Sequence, residues 1–286
     1  MLFDTHTHLN FKAFENNFDQ VIKDSLKAGI RYINIVGTDI DSSKKAVEIA
    51  EKYVDTFASV GIHPHHIFNY LTSNVILSET KNLGPSSPKG PALQDDLQEL
   101  EKLLKNPKVI AVGETGMDRH IYKKTRYKRY GISDKLINLQ KKAFIAQIKL
   151  ALKYQKSLII HNRDAVNELL EVLTSHLGGV TKLRAVFHCC EPDQKLLDFA
   201  IKNKIYIGID GDVTYDKKKQ EFIKKIPLDL LVLETDSPFL TPEGLKNPNI
   251  PSNLNYIAEY IAEKLKIDIK KLKEVTLKNS KKLFKL

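Results

Sequence analysis

No apolar run of 18 residues occurs anywhere in this 286-residue chain, so no membrane-spanning helix is expected. The N-terminus lacks the basic region and apolar core of a secretory signal. Cysteine is scarce: Cys189 and Cys190 are the only two, and they are adjacent. Neighbouring cysteines rarely bridge each other, so no disulfide staples the fold, and a reducing compartment is the simpler home. These absences lead to the expectation of a soluble cytoplasmic protein. Glycine and proline are also sparse, at 13 and 11 residues, while hydrophobic residues make up 42%. That balance excludes global disorder and allows a sizeable core. Acidic residues are in deficit, with 35 Asp plus Glu against 45 Lys plus Arg and a net charge of +10. Such an excess favours an anionic partner, nucleic acid above all.

Short β-branched runs alternate with longer segments of helical periodicity, the pattern of βα units around a parallel sheet. The first strand begins at residues 1–3. Others follow at 31–36, 57–61, 108–113, 157–160, 183–187, 205–209 and 228–233. Helices are expected over 17–28, 42–52, 95–104, 135–154, 165–175, 193–202, 217–225, 254–265 and 269–284. That order predicts a single (β/α)8 barrel domain spanning 1–286, in preference to an open doubly wound sheet. Two stretches break the rhythm. Residues 82–92 are rich in Pro, Gly and Ser and read as a surface insert. Residues 119–131 interleave Lys and Arg with Tyr122, Tyr127 and Tyr130, and follow the fourth strand. In a barrel this second stretch falls at the active-site face. It suits either a path for a single nucleic-acid strand, with tyrosines stacking on bases, or a solvated lid.

Polar residues gather behind nearly every strand. They include Asp4-Thr5-His6-Thr7-His8, Gly61-Ile62-His63-Pro64-His65-His66 and Gly113-Glu114-Thr115-Gly116. His161-Asn162-Arg163-Asp164, Phe187-His188-Cys189-Cys190 and Glu234-Thr235-Asp236-Ser237-Pro238 complete the series. Seven of the nine histidines lie in these positions, and barrel enzymes build their active sites there. His6 and His8 point the same way if the first strand runs that far. Together, His6, His8, Glu114, His161, His188 and Asp236 supply four imidazoles and two carboxylates. That is enough for two divalent ions with Glu114 bridging, and the donor mix suits Zn, Mn, Fe or Co without excluding Mg. Asp236 can also take the proton of an attacking water. His63 and His65 either bind a phosphate or pair with carboxylates beside the ligands. Arg163 either meets a phosphate oxygen or pairs with Asp164 or Glu168. Glu234 is a partner to a ligand or an extra ligand, and Asp4 orients His6. The adjacent cysteines are read as structural.

These stretches, in this order, resemble the TatD-related deoxyribonucleases, a branch of the amidohydrolase-like metal-dependent hydrolases. The match covers nearly the whole chain. The resemblance implies a two-metal barrel that hydrolyses DNA phosphodiesters, with 3′ to 5′ exonuclease action on single strands. By position it makes His6, His8 and Asp236 ligands of one ion, His161 and His188 ligands of the other, and Glu114 the bridge. It places His65 and Arg163 near the phosphate. The chain departs from the family pattern at Gly116-Met117-Asp118-Arg119-His120, His188-Cys189-Cys190-Glu191-Pro192 and Lys246-Asn247-Pro248. These changes bear on substrate preference and leave the metal set whole. Two other readings stand beside the nuclease. One is a hydrolase of amides or esters, aminoacyl-tRNA included; the other is a non-catalytic nucleic-acid-binding barrel. No obligate protein partner is evident, and a monomer is expected.

Overall fold

In a computed structural model, residues 1–71, 92–122, 132–177 and 183–286 are described. Eight strands, β1 (Leu2–Thr7), β2 (Ile30–Val36), β3 (Thr56–Val60), β4 (Val109–Asp118), β5 (Ser157–Arg163), β6 (Ala185–Phe187), β7 (Tyr206–Ile209) and β8 (Leu231–Leu233), pair in chain order. Every neighbouring pair is parallel. The seam between the last strand and the first closes just beyond β8, through a bridge between Thr7 and Ser237. Two backbone bonds hold it: Asp236 donates to the His6 carbonyl at 2.9 Å, and His8 donates to Ser237 at 2.7 Å. This is the (β/α)8 barrel expected from the element order.

The surrounding helices are α1 (Phe18–Lys27), α2 (Ile40–Glu51), α3 (Leu93–Leu103), α4 (Asp134–Lys153), α5 (Val166–Leu177), α6 (Gln194–Asn203), α7 (Lys217–Phe222), α8 (Leu254–Leu265) and α9 (Ile269–Phe284). Strands such as β5 bury Leu158, Ile159 and Ile160 in succession, because a parallel strand in a barrel is covered on both faces. The end of α9 packs against the starts of the strands. There the Phe284 ring lies 5.4 Å from Phe3, and the Leu283 carbonyl accepts from Arg184 Nε at 2.9 Å. That leaves the opposite end, where the polar strand ends emerge, for chemistry.

Boundaries differ from expectation for identifiable reasons. Residues 228–230 form a 3-10 turn after Pro227, closed by Leu230 donating to the Pro227 carbonyl, so β8 is short. The expected helix over 217–225 ends at Phe222 and continues as a 3-10 turn over Ile223–Lys225. Strand β4 runs five residues past Gly113, since Thr115 to Asp118 continue the ladder with β5. A register shift between Val112 and Thr115 interrupts that ladder at Gly113 and Glu114. Bulges of this kind re-aim side chains at barrel rims. The sequence insert lies outside the described residues apart from Ala92, which precedes α3. The basic stretch lies outside them beyond Tyr122. Among the described residues, no helix is long and apolar enough to cross a membrane.

Candidate metal centre

The barrel seam sets the first group of donors. Strand β1 delivers His6, the residue after it turns His8 to the same side, and the segment after β8 brings Asp236 alongside. His6 Nε2 and His8 Nε2 are 3.2 Å apart, and Asp236 Oδ1 lies 3.7 and 3.3 Å from them. His8 Nδ1 donates to the Val36 carbonyl at 2.9 Å, which leaves the Nε2 lone pair facing the centre. His6 is fully buried, and its Nδ1 has no hydrogen-bond partner.

Glu114, turned inward at the β4 bulge, divides this group from a second one. Its Oε2 lies 3.5 Å from His6 Nε2 and 3.7 Å from His8 Nε2. Its Oε1 lies 2.8 Å from His161 Nδ1, 3.3 Å from His63 Nε2 and 3.6 Å from His188 Nε2. Burial opposes ionisation of Glu114, but the surrounding imidazoles outweigh it and hold the carboxyl well below its usual range. His188 is fixed from behind, with Nδ1 3.0 Å from Glu234 Oε1, and its ring stacks on His6 with centroids 3.5 Å apart. The Cys189 backbone N–H also donates to Glu234, at 2.6 Å. Burial alone would lower the pKa of His188, yet Glu234 and Glu114 lift it to about 10. His161 is likewise lifted to about 9 against its burial, by Asp118 and Glu114.

Among the described residues, three of the donor groups lie at this centre: His6, His8 and Asp236; His63, Glu114 and His161; and His6, His188 and Glu234. Within each, the candidate ligand atoms lie within 4.8 Å of one another. The arrangement suits one or two divalent ions. Imidazole nitrogens and carboxylate oxygens together are the donors that such metals take.

The sequence-expected residues converge with four qualifications. His63 reaches Glu114, but its Nδ1 accepts from the His65 backbone N–H at 3.0 Å. Its proton therefore sits on Nε2, facing Glu114, and burial pushes the imidazole down to about 4. His65 instead sets its ring 4.5 Å from Tyr122. Among the described residues, Arg163 forms no ion pair with Asp164 or Glu168: Glu168 is engaged by Arg119, and Asp164 by His120 at 3.2 Å. Its guanidinium lies over the Tyr122 ring, 5.2 Å from the centroid. Among the described residues, Asp4 makes no hydrogen bond to an imidazole. It accepts from the backbone N–H of His6 at 3.4 Å and from Thr235 N and Oγ1 at 3.0 and 2.7 Å, binding β1 to the segment after β8.

One site residue was missed. Asp118 Oδ2 lies 3.2 Å from His161 Nε2 and accepts from the Tyr122 hydroxyl at 2.7 Å. It stands four positions beyond Glu114, an even spacing that could have placed both on one side of a continuing strand. Glu191, at the altered segment after β6, binds Asn162 Nδ2 and accepts from the Asp164 backbone N–H at 3.2 Å. It thus braces the β5 end on which Arg163 stands.

A parallel barrel with imidazoles and carboxylates converging at its strand ends defines a metal-dependent hydrolase of the amidohydrolase-like class. Within that class, the chain belongs to the family described as TatD related DNase, whose profile matches residues 3–285. It is 30% identical over 289 residues to YabD of Bacillus subtilis, an uncharacterized metal-dependent hydrolase, with all of both chains covered. It is 28% identical over 296 residues to the 3′-5′ ssDNA/RNA exonuclease TatD of Edwardsiella piscicida, again over the full length of both. The fold matches the crystal structure of YJJV, a TatD homologue of Escherichia coli, with a TM-score of 0.80 and 24% identity. That match covers 100% of this chain and 98% of the other.

Proposed function

We propose that the chain is a metal-dependent deoxyribonuclease that hydrolyses phosphodiester bonds of single-stranded DNA, working 3′ to 5′. The observation that carries this reading is the division of Glu114, one oxygen toward His6 and His8 and the other toward His161 and His188. A carboxylate so placed is set to bridge two ions. The residues fit such ions: the His8 lone pair is aimed inward, and His6 Nε2 and Asp236 Oδ1 lie 3.2 and 3.3 Å from the nitrogen that carries it. His6, His8 and Asp236 would hold one ion, His161 and His188 the other, and Glu114 both. When bound, divalent ions supply Lewis acidity that makes water a stronger nucleophile at neutral pH and offsets charge on phosphate oxygens.

The chain's own groups do the rest. Asp236 accepts the proton of the attacking water. Arg163 and His65 bind the non-bridging phosphate oxygens, and His63 offers its Nε2 proton to the same group. Glu234 keeps His188 turned toward the centre. The net charge of +10 draws in the polyanion. The exonuclease description of the Edwardsiella relative supports single strands as substrate. The chain acts as a monomer and as one barrel domain in the cytoplasm.

The test is a metal-supplemented assay that offers single-stranded DNA, duplex DNA, RNA and aminoacyl-tRNA side by side. Release of mononucleotides from the 3′ end of single-stranded DNA is expected. Turnover of aminoacyl-tRNA alone would replace the nuclease reading with ester hydrolysis. Strand binding without turnover, with or without metal, would make the protein a binder.

A further inference from the structure

Phe239 follows Asp236 by three residues and is 50% exposed, although it is a large apolar side chain. Its ring meets Phe11 and His8 only at steep angles, with centroids 6.2 and 6.1 Å away. Phe11 in turn stacks flat on His8 at 4.3 Å. An aromatic step thus leads outward from the donor group at the barrel seam, and its outermost ring is open to solvent.

The backbone beneath that ring is locked. Phe239 donates its N–H to the Asp236 carbonyl at 2.8 Å. The fully buried Asn249 donates through Nδ2 to the carbonyls of Thr235 and Phe239, both at 2.8 Å, and also faces that of Leu240. The loop is preorganised by a side chain that does no chemistry, while the phenyl ring it presents stays half exposed. Preorganisation of this kind lowers the ordering cost of binding a ligand.

We infer that Phe239 is a stacking platform for an unpaired nucleobase adjoining the scissile phosphate. This rests on the nuclease reading and deepens it by naming what selects the single strand. A base inside a duplex has both faces covered by its neighbours, whereas an unpaired base is free to swing out and lay a face on this ring. The ring's position beside His8 and Asp236 puts such a base next to the phosphate those residues would serve. The surplus of cationic residues suits the strand that carries it.

The experiment crosses the ring with the base. Metal-loaded protein and its Phe239→Ala and Phe239→Trp variants are assayed on a single-stranded oligonucleotide and on the same oligonucleotide with abasic terminal positions. Phe239→Ala is expected to raise KM on the intact strand about tenfold, the loss of one base–aromatic stack. Phe239→Trp should restore it. On the abasic strand, the wild type should already bind weakly, and Phe239→Ala should change KM little. An equal effect of Phe239→Ala on both strands would overturn the inference and leave the nuclease reading standing. A wild type that cuts neither strand would overturn both.

Discussion

The backbone N–H of Asp236 donates to the carbonyl of His6 at 2.9 Å, so the bond that closes the barrel also brings residues 230 positions apart into one donor group. The carboxylate of Asp236 takes no part in that bond. Asp236→Asn therefore keeps the seam while removing the charge of the proposed ligand and proton acceptor. The variant should fold with an unchanged melting temperature, retain at least one ion, and lose about 10²–10⁴-fold in kcat. Calorimetry, metal analysis and steady-state kinetics on one preparation check all three. Full activity in the variant would refute the role assigned to Asp236.

Glu234 is fully buried, and one of its oxygens meets His188 Nδ1 at 3.0 Å. Its other oxygen is met by Thr5 Oγ1 at 3.2 Å, so the carboxylate cannot turn away. Glu234→Gln keeps the shape but loses the charge that favours proton placement on His188 Nδ1. Metal affinity or kcat should fall about 10–100-fold, the usual cost of altering a partner behind a metal-bound histidine. An equilibrium metal titration on the variant measures this directly, and wild-type affinity would count against it.

Metal and protons should compete at this centre. His161 and His188, lifted to about 9 and about 10, are imidazolium at neutral pH in the metal-free chain. A histidine raised in the folded state contributes stability that is fully present below its ordinary value of 6.5 and is lost as pH rises through the folded value. These two groups thus make the metal-free protein less stable from about pH 6.5 toward 9–10. Coordination requires neutral imidazoles, so affinity for a divalent ion should strengthen over the same range, with protons released on binding. Calorimetric titration in two buffers of different ionisation enthalpy counts them. Saturating metal should add about 2.7 kcal/mol at 100 times Kd, and chelation should remove it. Binding that releases no protons at pH 7 would contradict the ligand assignment for His161 and His188.

The sequence carried much of this centre because barrel strands end at one face, and the chain placed six donors at those ends. Runs such as Leu158-Ile159-Ile160 next to His161 mark both a buried strand and its polar exit. Asp118 escapes because the apolar run of the strand ends at Gly113, and the bulge beside Glu114 has no signature in one sequence. The surroundings of Arg163 escaped for another reason. Which acids meet Arg119 and His120 depends on how separate loops converge, and nearness along the chain offers the same two acids to Arg163 as the alternative to a phosphate. Asn249 and the buried glutamines of α4 read as ordinary polar residues, since their carbonyl and amide partners are distant in sequence.

One of those glutamines yields the sharpest stability prediction. Gln147 is fully buried on α4, its Oε1 accepting from Ile62 N at 2.8 Å and its Nε2 donating to the Ile62 carbonyl at 3.0 Å. A further bond reaches Thr115 Oγ1 at 2.7 Å. The amide thus stands in for a strand neighbour at the point where the chain leaves β3 for His63. Gln147→Leu preserves bulk but leaves the Ile62 backbone groups unpaired in the interior. Each buried polar group left unsatisfied costs roughly 1–3 kcal/mol. Urea unfolding should register a loss of that order, while Gln147→Glu should keep the acceptor for Ile62 N and lose the donor. Activity should fall with KM affected more than kcat, because Ile62 positions the loop of His63 and His65, which are proposed to meet the phosphate. A Leu variant as stable as the wild type would mean that the loop takes its shape without the glutamine.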